Sequence, residues 1–108
     1  MIVLRQLLGE VLRERRKELG RTLREVSVTA RVSTGYISEI ERGQKEASSE
    51  CLAAISGAIE LPLSELMSRL STVIAEQERQ DTVLAELPIA DLSSATERQA
   101  SDGAAVAA

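Results

Sequence analysis

The stretch TLREVSVTARVSTGYISEIERG, from Thr22 to Gly43, decides how this chain folds. It opens on Thr22 with Glu25 on the next turn, the pair in which a hydroxyl and a carboxylate satisfy the first free amides of a helix. Leu23, Val26 and Ala30 then make a single apolar stripe, so a short helix is predicted over residues 23–30. Ser33 is a second start signal almost at once. A further helix is predicted over 34–42, with Ile37 and Ile40 turned inward and Gly43 free to take the left-handed conformation that ends it.

Toward the amino end, Leu4, Leu8, Val11, Leu12 and Leu19 recur at helical spacing and Gly20 stops the run, which predicts a helix over about 2–19. Arg13, Arg15, Arg16 and Lys17 alternate there with Glu14 and Glu18, and the expectation is a solvated face of i,i+4 pairs. Toward the carboxyl end, Ser48, Ser49 and Glu50 open a fourth helix whose Leu52, Ile55 and Ile59 face inward until Pro62. From Pro62 to about Glu86, Leu63, Leu66, Leu70, Val73, Gln77, Gln80, Leu84 and Leu87 alternate by three and four, a heptad seam with a polar centre. No stretch alternates as a strand does, so the fold class is all-α, four to five helices. Beyond Pro88 the chain turns to Ser, Ala, Thr, Gln, Asp and Gly, and a disordered tail is expected. The organisation read from this is a domain over 1–62, a long helix over 63–87 and a tail over 88–108.

Composition narrows the chemistry. In 108 residues there is no histidine and one cysteine, Cys51, which removes the usual zinc sites and every Ser-His or Cys-His pair. No phosphate loop is present either, so the expectation is that the chain is not an enzyme and takes neither metal nor cofactor. Cys51 itself reads as a small core hydrophobe, since Glu46 and Glu50 nearby would raise a thiol pKa rather than lower it. With Tyr36 the one aromatic residue, base-stacking platforms for single strands are not expected. No apolar run is long enough for a membrane span and no signal peptide is recognised, so a cytoplasmic protein is expected. The net charge of -4 hides an asymmetry. Residues 1–47 carry ten Lys/Arg and seven Asp/Glu, whereas residues 48–108 carry three and ten, a basic part followed by an acidic one.

Two short helices joined through Arg31-Val32-Ser33 fit a helix-turn-helix, whose second helix enters a DNA major groove. The segment Thr22–Gly43, with Val32-Ser33 at the turn, Tyr36-Ile37-Ser38 within the second helix and Ile40-Glu41-Arg42-Gly43 at its end, closely resembles the lambda-repressor-like, or XRE/Cro-C1-type, DNA-binding family. In its four-helix context the resemblance covers about residues 3–70. It departs from the family pattern at three places: Arg31 stands where a turn glycine is usual, Ser27 where a small alanine is usual, and Leu23 where a phosphate-contacting glutamine is common. The resemblance implies double-stranded DNA as partner. It makes Thr34, Gly35, Ser38 and Glu39 the candidates for base edges, where hydroxyls donate or accept and a carboxylate accepts from cytosine N4. Ser33, Tyr36, Arg42, Gln44 and Lys45 are the candidates for phosphates, which fix register. Tyr36 reads equally as a half-buried packing residue, and Glu41 as a structural or capping carboxylate.

One such motif makes few base contacts, so a homodimer on a palindromic site is expected, joined along the seam Leu63, Leu66, Leu70, Val73, Gln77, Gln80, Leu84 and Leu87. The alternative is a helix folded back on its own domain. The terminal Val106-Ala107-Ala108 resembles a signal gripped by ATP-dependent proteases, or is a tail without function. Together with the long helix this gives a narrower likeness to regulators that activate Clp protease genes, which implies RNA polymerase and Clp protease as further partners. A phage-type repressor, an antitoxin and a protein-interaction module are the competing readings.

Overall fold

Every element of the computed structural model, which describes residues 2–86, is an α-helix: α1 Leu4–Glu18, α2 Leu23–Ala30, α3 Thr34–Glu41, α4 Ser49–Ala58 and α5 Leu63–Glu86. Local chemistry sets the starts. Thr22 Oγ1 accepts from the Glu25 amide and Glu25 Oε1 from the Thr22 amide, both at 3.1 Å, so the capping box forms as predicted. Ser33 caps α3 by accepting from the Tyr36 amide at 3.1 Å, and Ser48 caps α4 by accepting from the Cys51 amide at 3.2 Å.

The ends of the first four helices share one reversal. An amide reaches back five residues, from Arg21 to Arg16, Val32 to Ser27, Gln44 to Glu39 and Leu61 to Ser56. The residue before each is left-handed: Gly20 at φ 66°, Arg31 at 58°, Gly43 at 74° and Glu60 at 51°. Arg31 thus adopts the backbone for which glycine is usual, and the turn keeps its shape.

Val11 and Leu12 of α1, Val26 and Ala30 of α2, Ile37 and Ile40 of α3, and Ile55, Ala58 and Ile59 of α4 are buried together. The α1–α3 crossing is close because Gly9 has no side chain: a Cβ there would fall on the Ile40 carbonyl oxygen and 2.6 Å from that of Glu41. Leu61, Leu66 and Leu70 complete the same core, and the compact unit runs from Ile2 to Ala75, past residue 62. This corrects the seam. Leu66 is 0% exposed and Leu70 6%, so the first turns of α5 fold back on their own domain and neither leucine is available to a second chain.

Arg16 likewise leaves the solvated face expected of it. Its guanidinium makes two hydrogen bonds to the Glu41 carboxylate, at 2.7 and 2.9 Å, and one to the Arg21 carbonyl at 2.9 Å. Those bonds to Glu41 hold its pKa above the ordinary arginine value. Glu41 is buried, so the pair joins α1 to α3 from inside and Glu41 is structural, as read from the sequence. Arg15 donates to the carbonyls of Ile59 and Glu60 at 3.1 and 3.0 Å, and Arg21 to that of Ala58, so the carbonyl end of α4 is covered by cations. Cys51 is half-buried rather than a core residue. No single helix among the described residues is long and apolar enough to cross a membrane.

Candidate nucleic-acid interface

Ile37 and Ile40 are each 1% exposed, and anchoring that side of α3 turns the opposite arc outward. Thr34 and Gly35 lie exposed in the first turn, with open space around Gly35, and Ser38 and Glu39 follow half-exposed one turn on. The hydroxyls of Thr34 and Ser38 make no hydrogen bond among the described residues and are free to donate or accept. Ser33 uses its oxygen as an acceptor within the cap, which leaves its hydroxyl proton for an external acceptor.

The second part of the surface is the loop after α3, where Arg42, Gln44 and Lys45 are exposed. It is a fixed loop. The Gln44 amide returns to the Glu39 carbonyl at 2.9 Å, Arg5 Nε donates to the Gly43 carbonyl at 2.9 Å, and Gly43 lies against Gln6. Tyr36 donates its hydroxyl to the Glu46 carbonyl at 2.9 Å. The one proton of the Tyr36 hydroxyl is thus given to the loop that carries Gln44 and Lys45.

Lys45 and Glu39, expected to meet a phosphate and a base separately, are brought together: Nζ lies 3.5 Å from the carboxylate. The side chains of Arg24, Arg31 and Arg42, by contrast, carry no ion pair or hydrogen bond among the described residues. Sequence reading did not find the work of Arg5, Arg15, Arg16 and Arg21. Apart from the Arg16 bond to the Arg21 carbonyl and the Arg15–Glu18 ion pair, their partners lie 25 to 45 residues away, and no local pattern announces those.

Residues 12–66 match the Helix-turn-helix family model, a range that holds most of the core and the whole exposed arc of α3. The chain belongs to the helix-turn-helix family. Within that XRE-type family it is 56% identical to the transcriptional regulator ClgR of Mycobacterium tuberculosis over 77 residues, 71% of this chain and 69% of the relative. Among solved structures, the clp gene regulator ClgR from Corynebacterium glutamicum superposes with a TM-score of 0.71 at 38% identity, covering 83% of this chain and 93% of that one. The restriction-modification controller protein C.Esp1396I superposes with a TM-score of 0.64 at 23% identity, over 68% and 95% of the two chains, a likeness of fold. In this helix-turn-helix protein, α2 and α3 are the two helices joined by the short turn at Arg31–Ser33.

Leu63 and Met67 are 47% and 42% exposed on α5, while Val73 and Gln77 are half-exposed and Gln80 exposed. Leu84 lies on α5, but its side chain, like Leu87 and the terminal Val106, Ala107 and Ala108, lies outside the described residues.

Proposed function

We propose that this DNA-binding transcription regulator acts as a homodimer on a palindromic operator and activates Clp protease genes, engaging RNA polymerase in doing so. The observation that carries the reading is the outward arc of α3. Unpaired hydroxyls of Thr34 and Ser38 and the Glu39 carboxylate sit on a helix anchored by Ile37 and Ile40, beside a loop that presents Gln44 and Lys45. Hydroxyls and a carboxylate read base edges, while Ser33, Arg42, Gln44 and Lys45 set register on phosphates. The similarity to ClgR proteins supports Clp genes as the target. The dimer contact is assigned to the remaining members of the seam, Leu63, Val73, Gln77 and Gln80, with Leu84 and Leu87 as its continuation.

Selection of bound sequences from random duplex DNA at low salt tests this. The expected result is one inverted repeat whose half-sites lie about one helical turn, roughly 34–36 Å, apart or a multiple of that. A lone half-site removes the dimer, and no enrichment removes DNA binding. Affinity should also fall steeply with added salt, because phosphate contacts release counterions.

A further inference from the structure

We propose that Lys45 is a specificity-determining residue that acts on the DNA sequence through Glu39, an inference that rests on the DNA-binding reading above. A carboxylate on a surface that meets phosphates is unfavourable over any sequence, and of the groups DNA offers it only a base-edge donor such as cytosine N4 compensates it. Glu39 therefore discriminates chiefly by rejecting base pairs that offer it no proton. How strongly it rejects depends on where its charge is held.

Lys45 holds it. Its Nζ is 3.5 Å from the Glu39 carboxylate, with the two side chains 60% and 36% exposed, so the pair lies on the outer surface and not in the core. The lysine does not arrive there on a loose chain. The loop that carries it is tied to α3 by the Tyr36 hydroxyl on the Glu46 carbonyl at 2.9 Å and by the Gln44 amide on the Glu39 carbonyl at 2.9 Å. Glu39 thus contributes a backbone acceptor that places the loop and a side chain that meets the loop's cation. In water such an exposed pair is worth little, but a docked duplex excludes water from it and strengthens it. A lysine engaged in this way orients a reader of bases, which a lysine bound only to phosphate does not do.

The test uses the full chain and duplexes carrying the sequence that the wild-type protein selects. Glu39→Gln identifies the base pair at issue as the one whose preference disappears. Lys45→Met is expected to flatten preference at that same base pair by about fivefold or more, the lower range for one side-chain-to-base pairing. Lys45→Arg is expected to restore it, and adding Lys45→Met to Glu39→Gln to change discrimination no further. The proposal is overturned if Lys45→Met weakens all sequences by one common factor and leaves the selected site unaltered, or if Glu39→Gln selects the wild-type site. Wild-type protein that enriches no duplex overturns the DNA-binding reading itself, and this inference with it. Unchanged helical circular dichroism confirms that each variant is folded.

Discussion

The ends of α2 and α4 are assembled from the same parts and put to different uses. In each, a serine of the last turns, Ser27 or Ser56, donates its hydroxyl to the carbonyl five residues on, of Val32 at 2.5 Å or of Leu61. In each, a charged residue takes the left-handed backbone, Arg31 in one and Glu60 in the other. Around α4 the outer side of the turn is filled: Arg15 and Arg21 take its last carbonyls, and Arg21 pairs with Glu60 at 2.6 Å. Around α2 it is open, the Arg31 side chain has no partner among the described residues, and α3 begins at once. One turn chemistry serves as an internal joint covered by cations in one place, and in the other leads straight into the exposed start of α3.

The reversals that use glycine give the sharpest test of this comparison. At Gly43 both conformation and space demand glycine, since a Cβ would lie 2.7 Å from Gln6 Cγ and 2.8 Å from its Cα. At Gly20 nothing stands within 4 Å, so only the positive φ matters. Gly43→Ala is expected to cost about 2–4 kcal/mol, combining left-handed strain with overpacking, and Gly20→Ala only about 1 kcal/mol. Urea unfolding of the two variants checks the difference, and equal losses would show that Gln6 gives way.

A smaller effect, of opposite sign, is expected where the turn has no glycine. Arg31→Gly relieves left-handed strain and removes no protein contact, so it should raise stability by about 1 kcal/mol, or the melting temperature by roughly 4–8 °C. Glu60→Gly relieves the same strain but loses the ion pair with Arg21, so its net change should be close to zero. A gain at Glu60 matching that at Arg31 would mean the cations around α4 contribute little.

The smallest effect concerns helix starts and acid. The Thr22 hydrogen bonds hold the Glu25 carboxyl below its ordinary value near 4.5, and the bond from Arg69 does the same for Glu18. A carboxyl lowered in the folded state lends stability that is present above the ordinary value and is lost as pH falls through the folded one. Glu25→Gln should therefore make the denaturant midpoint less sensitive between about pH 5 and pH 3. At the start of α4 Cys51 stands where α2 has Glu25, so Ser48 caps that helix without a reciprocal carboxylate.

Much of the scaffold was legible along the chain. Thr22, Glu25, Ser33, Ser48, Gly20 and Gly43 place helix ends through bonds to residues a turn away, and those ends stand where they were read. The outward arc of α3 was legible for a related reason: Ile37 and Ile40, once assigned inward, leave Thr34, Gly35, Ser38 and Glu39 on the other side. The loop was not, because the Tyr36 bond to Glu46 and the Lys45 pair with Glu39 exist only when α3 and the following turn are folded together. For the same reason a heptad pattern could not tell a seam between chains from a face buried at home.

The sequence by itself determined the class of fold, the order and ends of the short helices and the side of α3 that faces outward. These depend on hydrogen bonds and apolar periodicities that close within one or two turns. Tertiary structure alone decided that Leu66 and Leu70 belong to the core, that Arg16 holds Glu41, that Arg15 and Arg21 cover the end of α4, and that Tyr36 supports a loop. Each of these joins groups whose meeting depends on how the helices pack, and burial makes the partner decisive, because an unpaired charge or carbonyl out of water carries a cost that no local pattern in the chain records.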